Sequence, residues 1–122
     1  NTSGEASKYG LAPDAVAAHL RALSAYPALR VRGLMTLAVF SAEPERVRRC
    51  FVLLRELRDR LRQDAPAGLA LEELSMGMSG DFEIAIEEGA TVVRVGQAIF
   101  GARPLPDSYY WPNNDVAMET EQ

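Results

Sequence analysis

Apolar side chains along this chain recur at two spacings in turn, and each spacing predicts an element. Residues 13–25 carry Val16, Leu20 and Leu23 as one helical stripe, opened by Pro13 with Asp14 beside it and closed at Tyr26-Pro27. Residues 29–38 (LRVRGLMTLA) switch to period two, with Val31, Gly33, Met35 and Leu37 on one face. Beyond Arg32 this strand is apolar at nearly every position, as a parallel strand covered on both faces would be. Helical spacing returns over 44–63, where Val47, Cys50 or Phe51, Leu54, Leu57 and Leu61 make a long stripe. A loop with Pro66 and Gly68 follows at 64–70, and 71–76 predicts a short strand.

Residues 75–101 (SMGMSGDFEIAIEEGATVVRVGQAIFG) hold the most informative part of the pattern. Phe82, Ala85 and Ile86 give 81–88 one apolar helical face, with Ser79 expected as N-cap, Asp81 in the first turn and Gly89 as the left-handed stop. The β-branched run at 91–95 is a strand ending at Gly96, and a further helix follows it. Two glycine-containing loops, Met76-Gly77-Met78-Ser79-Gly80 and Arg94-Val95-Gly96-Gln97, therefore each join a strand to a helix. Backbone N–H groups at such junctions are suited to holding a phosphate. Strands alternating with helices imply a parallel sheet with right-handed crossovers. Three strands alone leave two raw edges, so the expected architecture is half of a (β/α)8 barrel belonging to a longer chain.

Composition narrows the function classes. The 122 residues are 48% hydrophobic and 25% charged, the balance of a globular domain, and no apolar run reaches the length of a membrane-spanning helix. A net charge of −4 argues against a nucleic-acid surface. Seven arginines crowd the long helix between Arg46 and Arg62, but Glu45–Arg49 and Glu56–Arg60 are i,i+4 pairs, so a solvated helix face is expected. The single cysteine, Cys50, fits a reducing compartment and is expected as a buried helix residue. His19 is expected to be solvated, Met35, Met76 and Met78 to pack, and no metal-ligand spacing occurs. Arg94, charged within an apolar strand, needs a partner; a structural ion pair would use Asp81 or Glu83.

The segments at 1–10 (NTSGEASKYG), 32–37 (RGLMTL), 75–81 (SMGMSGD) and 93–101 (VRVGQAIFG) resemble, in order and spacing, the pyridoxal 5′-phosphate (PLP) homeostasis protein family. The resemblance covers 1–103 and implies the C-terminal half of a barrel like the N-terminal domain of alanine racemase, with PLP at the C-terminal ends of its strands. The irregular stretch at 104–122 is then a tail, on which Tyr109, Tyr110 and Trp111 could dock to a partner. The family's Schiff-base lysine lies in the other half; Lys8, the only lysine here, matches the loop after the fourth strand and is not given that role.

Carried over residue by residue, Ser79 with its neighbours Gly77 and Met78 would hold the PLP phosphate, Gly96 and Gln97 would supply a second set of contacts, and Arg94 would meet the phosphate or the ring. Asn1 and Ser7 would line the mouth. Gln97 stands where the family usually has Ser or Thr, so a hydroxyl contact is lost while backbone N–H contacts survive. The function implied is a cytoplasmic PLP carrier serving PLP-dependent apoenzymes, monomeric as a full barrel and without ordinary catalysis. Two rivals stand beside it. One is a racemase- or aldolase-like PLP enzyme acting on amino acids. The other is a structural half that binds nothing alone and pairs with a second copy.

Overall fold

The computed structural model describes residues 1–64, 69–106 and 109. Most of the expected tail at 104–122, including Tyr110 and Trp111, lies outside the described residues. A 3-10 turn at Pro13–Ala15 leads into α1 (Val16–Leu23). β1 (Gly33–Met35), α2 (Pro44–Asp64), β2 (Glu73–Met78), α3 (Phe82–Glu87), β3 (Val92–Arg94) and α4 (Gln97–Phe100) follow. The strands form one parallel sheet in the order β1-β2-β3. Gly33 stands opposite Glu73 and Met35 opposite Ser75; across the other seam Ser75 faces Val92 and Met78 faces Arg94.

The long helix is the spine of both hydrophobic clusters. Val47, Phe51 and Leu54 pack with Leu74 and Met76 of β2 and Ala85 of α3. One and a half turns on, Leu57 and Leu61 pack with Leu20 of α1 and with Leu71. Cys50 is buried on the same helix.

Two strands differ from their sequence patterns: one is shorter than expected and one is displaced along the chain to end at Met78. The run at 29–38 keeps strand geometry only at Gly33–Met35, although the ladder reaches one residue further each way, through Glu73 N–H to the Arg32 carbonyl and Thr36 N–H to the Ser75 carbonyl. The strand expected over 71–76 starts at Glu73 because Leu71 takes φ 44. That left-handed backbone costs a leucine about 1–2 kcal/mol. The turn drops its side chain, fully buried, beneath α1 and α2, which returns about 2 kcal/mol. The expected coverage on both faces also fails. Leu34 packs toward α2, whereas Met35 and Leu37 on the alternate face stay exposed, as does Met78; of the three methionines expected to pack, only Met76 does.

The arginines of α2 are held chiefly by partners on other elements, although Arg48 also lies 3.7 Å from Glu45 one turn back on the same helix. The ion pairs Glu45–Arg49 and Glu56–Arg60 are not among those of the described residues. Instead Arg48 Nη1 and Nη2 donate to Glu88 Oε1 at 2.8 Å and Glu87 Oε2 at 2.6 Å, and Arg55 Nη1 pairs with Glu88 Oε2 and with the Glu88 carbonyl at 3.2 Å. This clamp fastens the C-terminal end of α3 to α2. Arg48, then Arg55, hold the Glu88 carboxyl below its ordinary 4.5, and Lys8 with Ser3 does the same for Glu5. A carboxyl with a lowered folded-state value binds its proton more weakly folded than unfolded. Its contribution is therefore full above about pH 4.5 and is lost as pH falls below it. Glu88→Gln is expected to lower stability by about 1.5 kcal/mol at neutral pH. Its thermal midpoint should fall less steeply on acidification than the parent's, a difference that calorimetry across the acid limb would register.

Candidate functional site

The strand ends at Thr36, Met78 and Arg94 open on one side of the sheet, and the loops leaving them carry most of the residues singled out from the sequence. How these loops meet depends first on a register irregularity. Between Ser75 and Met78, β2 holds one residue more than the facing stretch of β3, and Gly77 sits in that bulge with φ 103. A Cβ on Gly77 would stand 2.8 Å from Ala85 Cβ and 3.0 Å from Phe82 Cα. Glycine is needed here for α3 to close on β2. Gly77→Ala combines left-handed strain with a clash in the core, and a loss of about 2 kcal/mol is expected by chemical denaturation.

The bulge also reassigns the residue expected to cap α3. Asp81, not Ser79, occupies the N-cap, and neither side chain caps the helix; Asp81 Oδ1 accepts the Met78 N–H at 2.7 Å while its own N–H returns to the Met78 carbonyl at 3.0 Å. That closed turn frees Ser79 to face β3. Ser79 Oγ accepts the Ala98 N–H at 3.1 Å, so the first glycine-containing loop is tied to the opening turn of α4. Gln97 opens α4 immediately beside it, and the first-turn amides of a helix have no carbonyl of their own helix to bond. At Gly96 (φ −108) a Cβ would meet nothing within 4 Å, so the backbone there borders open space.

Arg94 does not make the ion pair with Asp81 or Glu83 that was its structural alternative. Its Nη2 donates to the Thr36 carbonyl at 2.8 Å, and its Nε is buried with no hydrogen-bond partner among the described residues. Ser79, Met78, Arg94, Gly96 and Gln97 are thus gathered at adjoining strand ends, and Gly77 lies just behind them against α3.

Asn1 and Ser7 lie elsewhere. Asn1 spends its side chain on its own loop, donating from Nδ2 to the Glu5 carbonyl at 3.0 Å and accepting the Gly4 N–H at 3.1 Å. Both residues line a mostly apolar cavity of about 820 Å³, shared with Lys8, His19, Met35 and Thr36. Lys8 is committed as well, donating from Nζ to the Ala38 carbonyl at 2.6 Å and pairing with Glu5 at 2.8 Å. Thr36 joins the two regions. Sequence reasoning gave it no role, although a lone hydroxyl within the apolar run GLMTLAV was a visible signal.

Residues 1–104 match the family described as "Alanine racemase, N-terminal domain". The chain belongs to this family. Among alanine racemase N-terminal domain relatives, it is 48% identical over 107 residues to the pyridoxal phosphate homeostasis protein of Aquifex aeolicus, covering 84% of this chain and 44% of that protein. It is 50% identical over 103 residues to the protein of the same name from Pseudomonas aeruginosa, covering 84% and 42%. The chain therefore spans less than half the length of these relatives. Two solved structures share the fold. An unknown protein from Bifidobacterium adolescentis matches with TM-score 0.76 at 40% identity, over 82% of this chain and 40% of that one. PipY of Synechococcus elongatus with PLP bound matches with TM-score 0.71 at 39% identity, over 77% and 44%. The expected fold class, a parallel α/β unit like the N-terminal domain of alanine racemase, is the one found.

Proposed function

We propose that this chain supplies the phosphate-facing and ring-facing part of a PLP site, in a protein that carries or buffers the cofactor. The observation behind the reading is the buried, unpartnered Nε of Arg94 beside the Ser79–Ala98 contact. A buried donor without an acceptor costs about 1–3 kcal/mol, and an anionic or aromatic-nitrogen acceptor on a ligand would relieve it. The remaining groups fit the same ligand. Ser79 Oγ, the first-turn amide at Gln97 and the guanidinium of Arg94 can all donate, as a phosphate requires, and the open side of Gly96 leaves room for close approach. The names of the relatives and the PLP-bound PipY point the same way.

When bound, PLP supplies an electrophilic aldehyde on an electron-withdrawing ring. The residues here bind and orient it; none is placed to form a covalent link. Lys8 is held by Ala38 and Glu5, which supports a structural role for it, and in this reading the covalent lysine belongs to the other half of the barrel. In this reading residues 1–103 are the C-terminal half of a cytoplasmic barrel, 104–122 are a tail, PLP-dependent apoenzymes are the recipients, and the complete barrel is a monomer.

The test is the intact mass of the purified chain after PLP and borohydride, with adducts mapped by peptide, alongside equilibrium dialysis of PLP without reductant. The expected outcome is reversible binding, weakened several-fold by Ser79→Ala, with Lys8 unmodified. A stoichiometric adduct on Lys8, or no reversible binding at millimolar PLP, would overturn the reading. Amino-acid turnover by a full-length relative would favour the enzyme rival.

A further inference from the structure

We propose that Thr36 is a positioning residue: paired with Thr2, it fixes the guanidinium of Arg94 and couples the loop at 1–8 to the ligand end of β3. The inference rests on the reading of Arg94 as a cofactor contact.

Thr36 is the one buried polar side chain among the described residues, 5% exposed. Its polar groups tie three chain segments together. The N–H donates to the Ser75 carbonyl at 3.1 Å, carrying the β1–β2 ladder one residue past the strand. The carbonyl accepts Arg94 Nη2 at 2.8 Å. The hydroxyl lies 2.7 Å from the Thr2 hydroxyl, with a longer contact of 3.4 Å to the Leu37 carbonyl. With the N–H and the side chain both held, the Thr36 carbonyl has little freedom to turn. That carbonyl is the one hydrogen-bond anchor of Arg94 among the described residues, so its placing decides where the unpaired Nε points.

Thr2 sits in a loop that is itself braced. Asn1 Nδ2 bonds the Glu5 carbonyl at 3.0 Å, and Lys8 Nζ bonds the Ala38 carbonyl at 2.6 Å. The loop at 1–8 therefore grips the segment after β1 at two points, two residues apart. A shift of the loop would pull the Thr36 carbonyl and with it the guanidinium. A purely structural role predicts something different: the Thr2–Thr36 bond would only satisfy a buried hydroxyl, and losing it would lower stability without moving Arg94.

The experiment uses the 15N-labelled 122-residue chain and follows the Arg94 Nε–H resonance, identified by its loss in Arg94→Lys, together with the PLP dissociation constant. Thr36→Val and Thr2→Val remove the same bond from its two ends. Each is expected to move the Nε–H resonance and to weaken PLP about tenfold, the equivalent of one ordinary hydrogen bond. Thr36→Ser should restore both readouts. The double Thr2→Val/Thr36→Val variant should be no weaker than either single one, because the two changes act through one bond. An unmoved resonance in both singles, a Thr36→Ser variant as impaired as Thr36→Val, or losses that add in the double would overturn the proposal. If Thr36→Val does not fold, Thr2→Val, on a half-buried loop residue, breaks the same bond and decides it. Failure of the parent chain to bind PLP would sink the cofactor reading instead, and the Nε–H resonance of the unliganded variants would still decide whether Thr36 positions Arg94.

Discussion

Replacing Gly33 by alanine is expected to unfold the chain at room temperature. A Cβ at this position would overlap the backbone of Glu73, its direct partner across the β1–β2 seam, at the carbonyl oxygen and on to the Cα. Backbone cannot move aside as a flexible side chain can, so the strands must separate. With β1 displaced, Leu34 leaves both clusters and Thr36 loses its ladder bond to Ser75. A loss above about 4 kcal/mol follows, comparable to the whole stability of a small domain. Far-UV circular dichroism on heating would show no cooperative transition. Gly80→Ala is the control, since a Cβ there meets nothing within 4 Å. A Gly33→Ala protein melting within a few degrees of the parent would mean that β1 does not pair in this register.

Arg94→Met should separate binding from stability. The substitution removes a half-buried cation that, among the described residues, makes a single bond to the Thr36 carbonyl and leaves its Nε unsatisfied. Desolvating that charge is costly, so an apolar chain of similar length is expected to leave the melting temperature within a few degrees of the parent. PLP affinity, by contrast, should fall more than about a hundredfold, because a buried charged donor is lost to an anionic or aromatic-nitrogen acceptor. Arg94→Lys should recover little of it. The ammonium keeps the charge but lacks the planar fork that bonds Thr36 and the ligand at once. Dialysis and a thermal melt on the same preparations give both numbers. Equal PLP affinity in parent and Arg94→Met would remove Arg94 from the site.

The sequence was most informative where a pattern repeats on a single element. The stripe at Val47, Cys50, Phe51, Leu54, Leu57 and Leu61 is buried as spacing predicts, because a long helix has one face toward the sheet wherever that sheet lies. Gly89 takes φ 95 for a purely local reason, the end of α3. Features set by contacts between elements were not legible. Strand length in β1 depends on where β2 runs beside it, and β2 starts only at Glu73, after the left-handed turn at Leu71, a conformation no propensity assigns to leucine. Arg48 and Arg55 reach glutamates more than thirty residues away, partners to which the expected pairs Glu45–Arg49 and Glu56–Arg60 could not point. Ser79 was expected to cap α3, but Asp81 holds that position, and the Ser79 hydroxyl meets α4 instead. Ser79, Arg94, Gly96 and Gln97 were joined into one site through family resemblance; local pattern gave only two glycine loops.

The burial of Cys50 makes the fold its own clock. This thiol is the only one in the chain, sits 5% exposed on α2, and donates to the Arg46 carbonyl at 3.6 Å. A thiol-specific reagent can react with it only while α2 is lifted from the sheet, so the labelling rate reads the population of that opened state when opening and closing are fast. Gly77→Ala disturbs α3, on the other side of the Arg48–Glu88 clamp. If α2 and α3 open together, that substitution should speed labelling by about thirtyfold, the factor that 2 kcal/mol represents. If labelling stays at the parent's rate, α3 can leave while α2 remains seated, and the loop bearing Ser79 could then be remodelled without disturbing the core.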